Sequence, residues 1–186
     1  LEVCYQILYG SMRKKAKERV NMDTYEIIEQ ACANKYGKNR ASDKNRKSLG
    51  DFWLDDTHAV DVKSSDVSKE NFSPNLVSAS KAEKWLSDGK QLSYIFVKYQ
   101  IANDEVEIIS ETDLIPINHI SWDCLSIQAQ GKGVIQLRDN RLKIEVQTVD
   151  EWLQGLARAY LIYINKEMEK LCKLESKYSV LLSQGK

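Results

Sequence analysis

Gly50-Asp51-Phe52-Trp53-Leu54, and then, after Asp55-Asp56-Thr57-His58, Ala59-Val60-Asp61-Val62-Lys63-Ser64, is the stretch on which the reading of this chain turns. Two short apolar runs around an acidic segment predict a β-hairpin with its turn at Asp55-Asp56. Side chains alternate along a strand, so Asp61 and Lys63 leave one face and Val60 and Val62 the other. The hairpin brings the Asp51 carboxylate beside Asp61. Two acids and one amine then converge on one spot.

That combination has a chemical use. Two adjacent carboxylates repel, and a hard cation relieves the repulsion. Mg²⁺ takes oxygen ligands and keeps several of its waters. A water made more acidic by the metal attacks a phosphodiester, and an ammonium beside it orients the water or stabilises charge growing on the phosphate. An Asp-x-Lys triplet alone is usually a charged face of a solvated strand. Here it lies in an apolar strand, with a second Asp ten residues upstream and a helix and a strong strand downstream.

Working outward, Leu92–Ile101 is aromatic and β-branched, and Asn103-Asp104 turns it into a partner strand at Val106–Ile109. Pro74 sits near a predicted helix start, with Leu76, Ala79, Ala82, Trp85 and Leu86 on its apolar face up to Gly89. Further strands are expected at 124–130 and 134–138, around Gly131-Lys132-Gly133, and at Leu142–Val146. Thr148 and Glu151 form a capping box that opens a helix to about Leu182. Upstream, residues 2–20 have helical periodicity, and Asp23 caps a second helix through about Lys35. The expected architecture is α/β, a central mixed sheet flanked by helices with a long C-terminal helix. One domain is expected over 1–186: a helical, basic part (1–48), a sheet core (49–147) and the long helix (148–184).

Composition sets bounds. The 186 residues are 42% hydrophobic and 29% charged, which excludes a collagen-like or wholly disordered chain. No apolar run reaches the ~18 residues of a membrane span. Leu1-Glu2-Val3-Cys4 shows no basic n-region, so no secretory leader is expected. The four cysteines lie far apart and only two histidines exist, which argues against zinc and for reduced thiols inside a cell. The net charge is +0, but residues 1–50 hold 11 Lys/Arg against 6 Asp/Glu, enough for a positive surface toward phosphates.

Asp51, Asp61 and Lys63 resemble the active-site pattern of the PD-(D/E)xK nucleases, with Gly50 where Pro often stands. A closer resemblance runs from Asp61-Val-Lys through Asn71-Phe72-Ser73-Pro74-Asn75 to Lys81, similar to the HincII-type restriction endonucleases. Ile117-Asn118-His119, Ile127-Gln128, Leu137-Arg138-Asp139 and the Thr148–Trp152 helix start follow in the same order, a layout shared with SwaI-type enzymes. The resemblance covers about 50–180 and leaves the first 50 residues unmatched.

The resemblance implies a type II restriction endonuclease in a prokaryotic cytoplasm. It implies a homodimer that cuts palindromic double-stranded DNA with Mg²⁺ and leaves 5′-phosphates. Asp51, Asp61 and the Val62 carbonyl would hold metal, and Lys63 would handle the attacking water. Phe72 would wedge between base pairs, flanked by Asn71 and Ser73, or else pack on the domain's own core. Asn75 would lie near the cut or cap the next helix. Asn118, His119 and Ser121 resemble a base-reading loop, and Gln128 lies on a strand that can face DNA. Lys69, Lys81 and Arg138 are candidate phosphate contacts. Lys38 and Arg40 belong to a basic loop leading into Asp51, which either wraps the duplex or is simply solvated. Two alternatives stay open: a structure-specific nuclease such as a junction resolvase, and a non-catalytic DNA-binding protein.

Overall fold

The computed structural model describes residues 23–41, 49–129, 133–138 and 141–184. The helix expected over 2–20 lies outside them. The order of elements is α1 (Thr24–Lys35), β1 (Phe52–Asp55), β2 (His58–Asp66), β3 (Asn75–Ser78), α2 (Ala79–Ser87), β4 (Gln91–Ala102), β5 (Glu105–Glu111), β6 (Ile115–Pro116), β7 (Leu125–Gln128), β8 (Val134–Leu137) and α3 (Val149–Gln184).

The mixed sheet is present, in the order β1-β2-β4-β5, with β6 also on β4. The hairpin joins β1 to β2 antiparallel, pairing Phe52 with Val60. β2 and β4 run parallel, pairing Asp61 with Tyr94 and Lys63 with Phe96. Parallel neighbours need a crossover, and α2 lies within it. Asn103 and Asp104 both take positive φ, 53° and 58°, which is the two-residue turn geometry that closes β4 onto β5.

The alternation expected along β2 divides the core in two. On one face Val60, Val62, Ile95, Val97 and Tyr99 pack against Ile28, Cys32 and Ala33 of α1. On the other, Ala59, Leu92, Tyr94 and Phe96 meet α2, Trp152 and Leu156 of α3, and a second, antiparallel sheet ordered β3-β8-β7. Asp61 and Lys63 share this second face, among the residues that join the two sheets.

Three expectations change. Asn75–Ser78 is a strand rather than the first turn of a helix, because it pairs with β8, and the helix starts only at Ala79 with Ser78 as its N-cap. Leu142–Val146 forms no strand, since its single bridge is Ile144 to Ile120. The capping box forms as expected: the Thr148 amide and hydroxyl both donate to Glu151 Oε2 at 2.8 Å, and the Glu151 amide donates back to Thr148 Oγ1 at 3.2 Å. The apolar residues of the helix it opens, which at helical spacing read as mostly core, are buried only at its start. Trp152 and Leu156 are buried, whereas Leu161, Met168, Leu171 and Leu182 are all more than half exposed. No helix among the described residues is long and apolar enough to cross a membrane.

Candidate active site

β1 stops one residue short of Asp51, and β2 continues past it. Gly50 makes this junction possible: a Cβ there would lie 2.7 Å from the Val60 carbonyl oxygen and 3.0 Å from its nitrogen. Only a glycine lets the chain close this tightly on β2, and that is what aims Asp51. The Asp51 amide donates to the Val60 carbonyl at 2.8 Å, and Asp51 Oδ2 accepts from the Val62 amide at 2.7 Å. A residue's N–H and C=O leave a strand on the same side. The Val62 carbonyl therefore also faces the Asp51 edge, beyond the last β1 pair.

Asp61 projects from the same strand end. Its carboxyl neighbours that of Asp51, which the Val62 amide holds. Lys63 Nζ lies 2.7 Å from Asp61 Oδ2. Asp61 is only 9% exposed. Burial pushes its carboxyl up to about 8, and the neighbouring Asp51 adds to this, while the Lys63 ammonium opposes it. Burial and the neighbouring acid thus make the charged form of Asp61 costly, and a cation placed there would relieve that cost.

The donor set fits a hard divalent cation. Two carboxylates and the Val62 backbone carbonyl would supply oxygen only, and a cation would relieve the repulsion between the acids. Among the described residues no three His, Cys, Asp or Glu side chains group as ligands. The remaining positions would therefore be water, as suits Mg²⁺ better than Zn²⁺.

Two further groups border the site and carry no sequence signal. Glu29 of α1 has its carboxyl raised by burial and then by the charge of Asp51. It is held by Arg40, whose guanidinium also reaches Glu26 at 3.1 Å. Arg40 therefore clamps the acids of α1 to the segment entering Asp51. Lys38, in the same segment, is half-buried. Tyr94 is the second group; pairing with Asp61 in the parallel ladder places it on the same face. The sequence offers Tyr94 only as one more strand aromatic, since the register of β4 on β2 cannot be read from spacing.

The other expected positions divide into two groups. The Phe72 ring meets Phe96 edge-on, with centroids 6.2 Å apart, and Lys98 Nζ lies 4.9 Å from its centre. Phe96 is the register partner of Lys63, so Phe72 packs on the core face near the site. Ser73 accepts from Gln136 through its carbonyl at 3.0 Å, and Asn75 pairs with Gln136 in the second sheet. Lys69, Asn71 and Lys81 are exposed. The second group is remote in sequence and internally bonded. Asn118 Nδ2 donates to the Gln147 carbonyl at 2.7 Å, and the His119 carbonyl accepts from the Glu145 amide at 2.8 Å. Ser121 Oγ donates to Glu145 at 2.8 Å, and Gln128 Nε2 donates to Ser126 at 3.0 Å. Ser121, Gln128 and exposed Arg138 line one open groove of about 760 Å³ between β7 and α3, together with Arg158, Lys166 and Lys170.

No family model matches the chain, and no curated protein matches it. Among solved structures it is similar to the NlaIV restriction endonuclease, with 13% identity, 78% of this chain and 77% of that chain covered, and a TM-score of 0.43.

Proposed function

We propose that this protein is a restriction-endonuclease-like, Mg²⁺-dependent nuclease that hydrolyses phosphodiester bonds in double-stranded DNA. Within that class we assign it to the type II enzymes, similar to HincII, acting on a palindromic site. The observation that carries the reading is the junction of β1 and β2. There Asp51, Asp61 and the Val62 carbonyl edge meet in one place, with the Lys63 ammonium 2.7 Å from Asp61.

In this reading Asp51, Asp61 and the Val62 carbonyl would hold the cation, which would supply Lewis-acid stabilisation of the phosphate and acidify water. Lys63 orients the attacking water and meets the charge that grows on the phosphate. The water oxygen bonds to phosphorus, the P–O3′ bond breaks, and 5′-phosphate and 3′-hydroxyl ends result. Phe72, packed on Phe96 beside Lys98, would act on the duplex only from the rim of the core. Arg138, Gln128 and Ser121 would face it along the groove by α3.

A palindromic site calls for a two-fold symmetric reader. Leu161, Ile164, Met168, Leu171, Tyr178 and Leu182 recur at heptad-compatible spacing on α3, and each is at least 37% exposed. A second copy of the helix would cover this stripe, which supports the homodimer.

The test is digestion of a sequenced plasmid in Mg²⁺ with run-off sequencing of the ends. Discrete fragments with one common end sequence are expected. Activity confined to branched DNA would reassign the protein to the structure-specific nucleases.

A further inference from the structure

The interior of the second core face holds one polar atom that its surroundings do not explain. Tyr94 is 0% exposed, and its hydroxyl has no hydrogen-bond partner among the described residues. A buried donor without a partner is costly and rarely kept without a reason. The rest of the ring is well placed. It stacks on Phe96 with centroids 6.0 Å apart and planes 22° from parallel, so a phenylalanine would pack as well.

The strand register says which face the ring shares. Tyr94 is the direct register partner of Asp61 on the neighbouring parallel strand. Burial holds its hydroxyl firmly protonated, and the charges of Asp61 and then Asp51 act in the same direction. A neutral donor therefore lies on the sheet face that carries Asp61, bonded to neither Asp61 nor Asp51. A single oxygen placed among the three would accept from the hydroxyl and be held by the acids.

We propose that Tyr94 is a positioning residue of the Asp51–Asp61 site, its hydroxyl donating a hydrogen bond to a water held there when a divalent cation binds. The inference rests on the nuclease reading for its catalytic consequence, and on the metal site alone for its binding consequence. The hydroxyl fixes where the water sits and turns its lone pairs, and the strand aromatic supplies rigidity through its stacking on Phe96.

The experiment compares the full chain with Tyr94→Phe in three measurements. The first is thermal unfolding in chelator, where removing an unsatisfied oxygen from a packed ring should raise the Tm by about 2–4 °C. The second is Mn²⁺ titration of the metal-free proteins by electron paramagnetic resonance, with no DNA present. Loss of one net hydrogen bond should weaken the affinity about three- to tenfold. The third is cleavage kinetics, where kcat should fall about tenfold with KM for DNA unmoved. A merely structural tyrosine would show the opposite pattern, a lower Tm with unchanged Mn²⁺ affinity, and that result overturns the proposal. If Mn²⁺ affinity falls in the variant and neither protein cuts any DNA, the positioning role stands and the nuclease reading fails. If the wild type cuts DNA and the variant matches it in Mn²⁺ affinity and kcat, the nuclease reading stands and this inference fails.

Discussion

Replacing Asp61 with Asn should make the metal-free protein more stable at pH 8 while destroying its metal site. The Asp61 carboxyl is raised from 3.8 to about 8, first by burial. A group whose folded value exceeds its unfolded value binds a proton more tightly in the native state. Stability is therefore unaffected below about pH 4, falls as pH rises from there toward 8, and stays low above it. At about 1.4 kcal/mol per pH unit, the full cost is on the order of 5 kcal/mol. An asparagine carries no charge, and its amide can donate to Asp51. It leaves Lys63 without its 2.7 Å partner, but the Lys63 side chain is 21% exposed and can turn to water. A net gain of about 2 kcal/mol at pH 8 is expected, with almost none at pH 4. Urea unfolding of both proteins in chelator, at intervals from pH 4 to 9, reads this directly. Glu29 and His58 are also shifted by burial, Glu29 upward and His58 downward, but they titrate in both proteins and cancel in the difference. A variant less stable than wild type at pH 8, or a difference independent of pH, would refute the picture of a strained acid pair.

Other outcomes follow from particular contacts. Gly50→Ala forces a Cβ to within 2.7 Å of the Val60 carbonyl; it should cost about 1–3 kcal/mol by urea unfolding and displace Asp51, lowering Mn²⁺ affinity as well. Leu171→Glu puts a charge in the middle of the exposed α3 stripe; if two copies pair through α3 as proposed, sedimentation equilibrium should show a dimeric wild type and a monomeric variant, and a wild type that is already monomeric refutes the pairing. Arg40→Ala removes the partner of Glu26 and Glu29. It should destabilise the packing of α1 by about 1–3 kcal/mol, and a loss of DNA affinity with no loss of stability would instead place Arg40 on the duplex.

Local chemistry made much of the hairpin site legible in advance. Period-two alternation and an acidic turn sufficed to put Asp61 and Lys63 on one face and Asp51 at the neighbouring strand end, because antiparallel pairing of adjacent segments is a short-range problem. The same holds for the Thr148–Glu151 box and the Asn103-Asp104 turn. Long-range pairing was not legible. Asn75–Ser78 is apolar enough for either a helix start or a strand, and only its pairing with β8, some sixty residues away, makes it a strand. Tyr94 meets Asp61 through a parallel register set by the packing of a crossover, which leaves no mark in the sequence around Tyr94. Glu29 lies on α1 as an ordinary acid at helical spacing, and its tie to Asp51 depends on how α1 crosses the sheet. The exposure of α3 beyond Leu156 was likewise hidden, because an apolar stripe has the same spacing whether the chain's own core or a second copy covers it.

Lys63→Ala is the decisive test of the metal-dependent hydrolysis proposed for the β1–β2 junction. Lys63 touches Asp61 but anchors no core, so its removal should leave the fold and DNA binding intact. Single-turnover cleavage of plasmid DNA in Mg²⁺, with binding followed in Ca²⁺ by gel shift, should show strand scission by the wild type. The variant should show binding within about threefold of wild type and no detectable scission. Scission by Lys63→Ala at the wild-type rate, or no scission of any DNA by the wild type in Mg²⁺ or Mn²⁺, would contradict the account.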